Sequence, residues 1–242
     1  GESMTDPAKY ANNNLIGTMN LLNACDRHGI KNFVFSSTAS VYGIPQFIPM
    51  DENHPTDPIN YYGETKLQIE RNLKWFSELR GIRFAALRYF NAAGYDVKGR
   101  IRGKEKNPQN LIPIVMEVAS GIRSKMEIFG NDYKTQDGTG VRDYIHVNDL
   151  ATAHVQAMEH ISNTKEDIVV NLATGDGHSV LDVIHKTIEV SGNDIPYDIV
   201  GRRTGDPGTV LAISKKAFAL LNWSPGHSDL DTLIRSAWEV YR

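Results

Sequence analysis

The sequence predicts an α/β fold in which parallel strands alternate with helices. Short apolar runs that suit buried strands recur between longer segments whose apolar residues follow a helical period. Alternation of this kind favours a parallel sheet whose strands are joined by crossover helices. The chain has 242 residues, of which 40% are hydrophobic and 23% charged, so it is long enough to bury a sizeable core.

The first part of the chain is predicted to hold two helices and two strands. Asp6 is a suitable helix cap, Pro7 suits a first helical turn, and Gly29 ends the element. The predicted elements are a helix at 6–25, a strand at 33–35, a proline-rich loop at 45–58, a helix at 62–79 and a strand at 82–87.

From Asn91 the regular alternation breaks. The predicted elements are a loop at 96–107, a helix at 111–120, a strand at 126–129, a polar loop at 131–140, a helix at 147–160 and a strand at 168–172. After Ser179 we expect a helix, a strand at 197–200 and two further helices. Because polar loops interrupt the alternation, a smaller second part is expected to be threaded through the sheet part.

Composition argues against several classes of function. A net charge of −3 gives no reason to expect nucleic acid or an anionic membrane as a partner. The single cysteine, Cys25, cannot form an internal disulfide, which suits a reducing compartment, and we expect a cytoplasmic location. No apolar run approaches the length of about 18 residues that a membrane span needs. The eight histidines show no paired ligand spacing, so no metal is expected.

Three residues together suit hydride chemistry. Tyr62 and Lys66 stand four apart near the start of a predicted helix and therefore share a face. We expect the Lys66 ammonium to lower the pKa of the Tyr62 phenol from about 10, which makes the phenol a usable base near neutrality. Thr38, at the carboxyl edge of the sheet, is expected to pass a proton between substrate and phenol. The spacing alone is weak evidence, because a solvated lysine beside a core tyrosine gives the same pattern.

Four segments in a fixed order carry more weight than the spacing. They are Phe33–Gly43, Tyr62-Gly63-x-x-Lys66, Leu87–Asn91 and Gly138–Val147. Together they resemble the UDP-glucose 4-epimerases of the extended short-chain dehydrogenase/reductase family, over essentially the whole chain. The resemblance implies a Rossmann-like parallel sheet with helices on both faces, NAD as the cofactor, and a smaller C-terminal α/β domain for a UDP-sugar. It assigns 1–100 and 141–175 to the NAD-binding domain, and 101–140 and 176–242 to the substrate domain.

The chain departs from the family at its start. The family opens with a Gly-x-x-Gly-x-x-Gly turn that lets the backbone approach the cofactor pyrophosphate, and no such turn is present. The resemblance therefore implies that the N-terminal strands are missing and that the chain as written does not bind NAD tightly. A cloning remnant ending at Met4 is the competing explanation of the first three residues. A truncated, catalytically silent nucleotide-sugar-binding fragment is the alternative to an epimerase of which this is a part.

The resemblance also assigns site residues. Catalysis falls to Thr38, Tyr62 and Lys66, and cofactor binding to Ser36, Ser37, Tyr62, Lys66 and Tyr89. The substrate residues are Thr38, Asn91, Asn110, Leu111, Glu127, Phe129, Arg142, Arg203, Asp206 and Val210, while Gln109 departs from a common asparagine. The two arginines match a pyrophosphate clamp, for which guanidinium forks are well suited, and Asp206 matches the acid on the ribose. Tyr42 and His146 are expected to be structural.

The strand-end tripeptide Thr38-Ala39-Ser40 narrows the chemistry. It lacks the carboxylates of related dehydratases and decarboxylases, which leaves oxidation and re-reduction at one carbon. The implied activity is NAD-dependent epimerisation at C4 of UDP-glucose and UDP-galactose through a 4-keto intermediate, with another NAD-dependent nucleotide-sugar 4-epimerase as the alternative. Val210 stands where a tyrosine restricts the family to plain hexoses, so N-acetyl forms are expected to fit as well. The alternative is that Pro207-Gly208 shifts the alignment by one residue and Val210 packs into the core. The helices at 6–25 and 62–79 resemble the family's twofold interface, which implies a homodimer.

Overall fold

The computed structural model describes residues 1–203 and 205–242. The chain forms two compact units. Unit 1 comprises Gly1–Phe90, Thr152–Leu172 and Ile213–Ser224, and unit 2 comprises Asn91–Ala151, Ala173–Ala212 and Pro225–Arg242. Within the described residues, no helix combines the length and the apolar character that a membrane crossing requires.

Nine α-helices are described. They are α1 (Glu2–Thr5), α2 (Pro7–Tyr10), α3 (Gly17–Arg27), α4 (Tyr61–Arg80), α5 (Leu111–Ala119), α6 (Val147–Thr164), α7 (Val180–Ser191), α8 (Lys215–Leu221) and α9 (Leu230–Tyr241). A π-helical stretch, Ala11–Ile16, joins α2 to α3, so the helix predicted at 6–25 is one helical path with a π-helical middle. Asp6 caps α2 by accepting from the Lys9 amide at 3.1 Å.

Unit 1 is built on a parallel sheet. Its strands are β1 (Asn32–Thr38), β2 (Arg83–Tyr89) and β6 (Ile168–Leu172), in the order β1-β2-β6. A core formed by Leu22, Phe35, Ile69, Leu73, Phe84 and Ala86 packs α3 and α4 against β1 and β2. The expectation of a Rossmann-like α/β fold with a parallel sheet is confirmed.

Unit 2 holds the remaining strands. They are β3 (Asn91–Ala93), β4 (Met126–Phe129), β5 (Val141–His146), β7 (Gly177–Ser179), β8 (Tyr197–Val200) and β9 (Thr209–Val210). Strand β5 pairs parallel with β3 and β9 and antiparallel with β7, while β4 and β8 form a separate parallel pair. Buried residues of α5, α7 and α9 form the main core of this unit.

The unit bounds differ from the predicted domain bounds. Residues 91–100 and 141–151 belong to unit 2, although they were expected in the NAD-binding domain. The physical reason is that β3 and β5, which the sequence did not predict, pair with each other in register from Asn91 opposite Tyr144. Residues 213–224 belong to unit 1, where α8 contacts β6.

Candidate active site

Helix α4 begins just before Tyr62, and its cap fixes where Tyr62 and Lys66 lie. Asn60 caps the helix, and its side-chain oxygen accepts from the Gly63 amide at 2.8 Å. Gly81 ends the helix in the left-handed conformation, at φ 65°, which glycine adopts without steric cost. Tyr62 and Lys66 therefore lie on the first two turns, and both are half-buried.

A glycine lets this helix approach the end of β1. A Cβ built on Gly63 would lie 2.5 Å from the Ser40 carbonyl oxygen, closer than any side chain tolerates. Ser40 lies in the 3₁₀ turn Ala39–Val41, which Thr38 caps by accepting from the Ser40 amide at 3.2 Å. The close approach brings the first turn of α4 to the strand end that carries Thr38.

The Lys66 ammonium is held against β1. It donates to the Ser36 carbonyl at 3.0 Å, and it lies 4.9 Å from the centroid of the Phe35 ring. The Tyr62 ring centroid is 5.7 Å away. The predicted sharing of a helix face by Tyr62 and Lys66 thus brings the two side chains together over the strand end.

The direction of the Tyr62 pKa shift differs from the prediction. Burial raises the pKa of the Tyr62 phenol above its ordinary value, and hydrogen bonding by the Thr38 hydroxyl opposes this shift. Burial also lowers the pKa of Lys66. The expected lowering of the Tyr62 pKa by Lys66 is not observed, because desolvation dominates at the phenol and the ammonium is engaged by the Ser36 carbonyl.

The predicted cofactor residues divide between surface and interior. The Ser36 hydroxyl bonds the Nε2 atom of His154 at 2.9 Å, and the His154 ring stands 6.3 Å from that of Tyr89. Ser37 is only 1% exposed, and its hydroxyl donates to Glu70 at 2.5 Å. The Ser37 hydroxyl therefore faces the interior rather than a ligand.

The predicted cofactor residues that are not fully buried are suitable for binding the end of NAD that exchanges a hydride. Ser36, Tyr62, Lys66 and Tyr89 are half-buried and lie at or beside the carboxyl ends of parallel strands, the edge where open α/β sheets bind nucleotides. Hydroxyl and ammonium groups in such a place are suitable donors to ribose hydroxyls.

A buried polar network, which the sequence did not predict, lies behind these residues. Arg88 pairs with Glu70 at 2.5 Å and donates to the Tyr42 hydroxyl at 3.1 Å. Tyr42 in turn donates to the Asn171 side chain at 2.6 Å. A signal was available for Arg88, which follows the apolar run Phe84–Leu87 on β2, but not for Glu70, which lies among other charged and polar residues of α4. Tyr42 is buried, in keeping with the structural role expected of it.

In unit 2, three of the predicted substrate residues lie together. Arg142 and Asp206 form an ion pair, and the Arg142 guanidinium also donates to the Val141 carbonyl at 2.8 Å. Val210 lies opposite Arg142 in the β5–β9 register. Residues opposite each other on neighbouring strands point to the same face of the sheet, so Val210 flanks the arginine.

Two further predicted residues meet on β4 and after β8. The Arg203 guanidinium stands 3.8 Å from the centroid of the Phe129 ring, within the range of a cation–π interaction. The Asn91 side chain donates to the Asp143 carbonyl at 2.8 Å. Asn110 occupies the N-cap position of α5 without a capping hydrogen bond from its side chain, and it is exposed. Glu127 on β4 is also exposed, while Leu111 is half-buried.

His146 has the environment of a structural histidine. It is fully buried, its Nδ1 atom accepts from the Asn148 amide at 3.0 Å, and its Nε2 atom bonds Ser236 at 3.1 Å. Burial lowers its pKa. Gly94, at φ 76°, leaves room for the ring, because a Cβ there would lie 2.5 Å from a ring carbon.

The sequence pattern of the NAD dependent epimerase/dehydratase family matches residues 1–173. The chain belongs to this family. A UDP-glucose 4-epimerase of Halalkalibacterium halodurans is 47% identical over 243 aligned positions, which cover 100% of this chain and 72% of the relative. The expected relationship to the UDP-glucose 4-epimerases of the extended short-chain dehydrogenase/reductases is confirmed, and NAD is the cofactor of the family.

Solved epimerases have the same fold. The crystal structure of a UDP-glucose 4-epimerase from Brucella ovis in complex with NAD has a TM-score of 0.97 at 42% identity, covering 100% of this chain and 74% of that one. The UDP-Glc/GlcNAc 4-epimerase of Campylobacter jejuni has a TM-score of 0.84 at 39% identity, covering 99% and 73%.

Proposed function

We propose that this epimerase-family chain acts at C4 of a UDP-hexose, interconverting UDP-glucose and UDP-galactose with NAD. The observation that carries the proposal is the grouping of Thr38, Tyr62 and Lys66 at the carboxyl end of a parallel sheet. The relatives that match the chain over its whole length are named UDP-glucose 4-epimerases, which supports the choice of substrate.

The proposed chemistry assigns each side chain a task. NAD, when bound, supplies the acceptor and donor of a hydride. Tyr62 accepts the proton of the sugar 4-hydroxyl during oxidation and returns it during reduction. Thr38 forms a hydrogen bond to the phenol and so keeps it in place for this proton transfer. Between these steps, the 4-keto sugar has to turn over, which requires a pocket that grips the nucleotide and leaves the hexose free.

The nucleotide is proposed to bind in unit 2. Arg142 and Arg203 would hold the diphosphate, since guanidinium groups form paired hydrogen bonds to phosphate oxygens. Asp206 would bind the ribose, Asn91 the nucleotide-sugar, and the backbone of Phe129 the uracil. The ion pair between Arg142 and Asp206 supports a binding role, because it keeps both charged groups pre-oriented beside Val210. Asn110, Leu111 and Glu127 remain predictions.

The substrate range is proposed to include the N-acetyl forms. Val210 is half-buried beside Arg142, and valine is much smaller than the tyrosine that limits the family to plain hexoses. The named activity of the Campylobacter jejuni relative covers both UDP-Glc and UDP-GlcNAc, which supports this wider range as a property of the fold.

A homodimer is the proposed assembly. Trp75 and Leu79 of α4, and Leu21 of α3, are between 53% and 70% exposed, although all three are large apolar side chains. Exposed large apolar residues on two helices that contact each other are typical of a surface that a partner covers. The cytoplasmic location stays a proposal, based on the single half-buried Cys25.

The experiment follows the conversion of UDP-galactose. The chain is incubated with UDP-galactose and NAD, alone and fused to the glycine-rich N-terminal segment of a UDP-glucose 4-epimerase, and UDP-glucose is quantified by proton NMR, with separate calorimetry of UDP-glucose binding. Because the chain as written is expected to hold NAD weakly, the expected result is formation of UDP-glucose by the fused form, which Tyr62→Phe abolishes. Binding of the UDP-sugar without conversion would favour the catalytically silent binding fragment, and the absence of both would contradict the substrate assignment.

A further inference from the structure

A buried ion pair lies behind the residues assigned to catalysis. Glu70 is 2% and Arg88 7% exposed. The Nε and Nη2 atoms of Arg88 donate to the two carboxylate oxygens of Glu70, at 3.0 and 2.5 Å. The Ser37 hydroxyl donates to the same carboxylate at 2.5 Å. Both oxygens of Glu70 are therefore engaged.

Glu70 is also placed to pair with Lys66. Residues four apart on a helix lie on one face, and a lysine and a glutamate at this spacing ordinarily attract each other. In this structure Glu70 pairs with Arg88 instead, while the Lys66 ammonium donates to the Ser36 carbonyl. Burial lowers the pKa of Lys66, the direction expected for an ammonium that lacks a carboxylate partner.

Besides Glu70, the titratable groups that the contacts of the described residues place near Lys66 are aromatic. Tyr62 lies one turn earlier on α4, and its phenol interacts with Tyr89 of β2 and Tyr10 of α2. His154 of α6 bonds the hydroxyl of Ser36, the residue whose carbonyl receives the ammonium. Glu70 is thus the carboxylate that would change the protonation of Lys66 if it were released from Arg88.

The ion pair also joins three elements at the strand ends. Ser37 precedes Thr38 on β1, and Arg88 precedes Tyr89 on β2. In the sheet, Ser37 lies opposite Arg88 and Thr38 lies opposite Tyr89. Glu70 receives hydrogen bonds from Ser37 and Arg88, so it fastens α4 to both strands beside the catalytic threonine.

We propose that Arg88 is a positioning residue of this site. It holds Glu70 away from Lys66, and through Glu70 it fixes α4 against the strand end that carries Thr38. A buried ion pair is a poor source of stability, because desolvating both charges offsets most of their attraction. A positioning role explains why Glu70 and Arg88 occupy a buried region that apolar side chains would fill equally well. The catalytic importance of Lys66 rests on the proposed function, but the contacts do not.

The test measures the protonation of Lys66 in the 242-residue chain. Competitive acetylation with acetic anhydride over a pH series, read by mass spectrometry, gives its titration midpoint, and the exposed Lys215 serves as the internal reference. Arg88→Met is expected to raise the Lys66 midpoint by about one pH unit or more, because the freed Glu70 then pairs with the ammonium.

A second variant separates positioning from general damage. Adding Glu70→Gln to Arg88→Met should return the Lys66 midpoint to the wild-type value, although it alters the core further. Glu70→Gln alone should not raise the midpoint, because it removes a carboxylate and leaves the Arg88 charge nearby, and this measurement stands even if Arg88→Met does not fold. A midpoint unmoved by Arg88→Met, still raised in the double variant or raised by Glu70→Gln alone overturns the proposal.

A matched control lies at the other end of the same elements. Arg83 on β2 contacts Asp167 at 3.7 Å and donates to Ser77 of α4 at 3.0 Å. Arg83→Met should leave the Lys66 midpoint unchanged, and a shift equal to that of Arg88→Met would contradict the proposal. Because labelling needs no substrate or cofactor, its outcome is independent of the epimerase assay, and failure of one proposal is distinguishable from failure of the other.

Discussion

The environment of Tyr62 determines its chemistry more than the tyrosine itself. Burial raises the pKa of the phenol, and the Thr38 hydroxyl, at the end of β1, opposes the shift. The Lys66 ammonium stands beside the ring and is bound to the Ser36 carbonyl. A half-buried phenol with a hydroxyl partner is suited to accepting and returning one proton.

Tyr62→Phe is expected to lower the turnover of UDP-galactose by a factor of about 10² to 10⁴, the usual contribution of a positioned acid–base group. Affinity for UDP should change by less than threefold, because the nucleotide is assigned to residues of unit 2. In the wild type, turnover should rise as the pH increases above neutrality, since the raised pKa leaves little of the phenol ionised at pH 7. Steady-state kinetics over pH 6–10 measure both effects. Equal losses of turnover and UDP affinity would assign Tyr62 to structure.

Val210→Tyr is expected to remove activity on N-acetylhexosamine substrates selectively. Valine lies opposite Arg142 in the sheet register, so a tyrosine at this position adds bulk beside the proposed diphosphate site. Overfilling a packed site costs about 1–3 kcal/mol, which corresponds to roughly a tenfold to hundredfold loss of kcat/KM. The measurement compares kcat/KM for UDP-GalNAc and UDP-galactose in both proteins. Leu211→Tyr, at the next position, serves as the control. Equal losses on both substrates would mean that Val210 does not select the sugar.

The sequence predicted that Tyr62, Lys66 and Thr38 lie together, but it did not predict the residues behind them. Tyr62, Lys66 and Thr38 follow from spacing and from order along the chain, since helix geometry fixes which side chains share a face. The partners of Glu70 could not be predicted in this way, because Ser37 and Arg88 lie on two different strands. The direction of the Tyr62 pKa shift also depends on burial, which spacing does not reveal.

At the scale of elements, the packing of α4 against the turn after β1 depends on Gly63. A Cβ at this position would meet the Ser40 carbonyl oxygen at 2.5 Å and the Pro58 side chain at 3.2 Å. Backbone cannot move aside as a flexible side chain does, so any larger residue must displace the helix from the strand end.

Gly63→Ala is therefore expected to lower turnover at least tenfold, because a displacement of about 1 Å at a catalytic group costs on the order of a hundredfold in rate. It should also destabilise the protein, against the helix-favouring effect of alanine. The control is Gly17→Ala in α3, where the added Cβ would lie 3.7 Å from the nearest atom. That variant should be neutral or more stable by up to about 1 kcal/mol. Thermal melts and the epimerase assay measure both, and an unchanged rate in Gly63→Ala would refute the role of this contact.

Elements with a clear apolar pattern were predicted better than those without one. The strands at 126–129, 168–172 and 197–200 have the predicted bounds, and α4 differs by one residue at each end. Strand β5, with Arg142 and Asp143 in its middle, carries too little apolar pattern to be recognised from the sequence. Its existence depends on pairing with β3, β7 and β9, which are far apart in the chain. These pairs group residues 91–100 and 141–151 with unit 2.

At the scale of the whole molecule, the outer surface of α3 and α4 determines the expected assembly. Trp75 and Leu79 are 60% and 70% exposed and lie one helical turn apart on α4, so they form one apolar strip. Leu21 of α3 and Ile16 of the preceding π-helical stretch are each 53% exposed. Ordinary monomer surfaces carry scattered apolar residues, whereas a continuous strip on packed helices is typical of an interface.

The wild-type protein is expected to sediment as a dimer at micromolar concentration, with twofold-related copies of α3 and α4 forming a four-helix contact. Trp75→Glu combined with Leu79→Glu should convert it to a monomer, because two like charges per subunit would then face each other across the apolar contact. The control is Phe218→Glu on α8, which replaces a side chain with the same 60% exposure outside the strip and should leave the dimer intact. Sedimentation velocity distinguishes the species. A monomeric wild type, or a Phe218→Glu variant that dissociates as readily as the double variant, would exclude the α3–α4 interface.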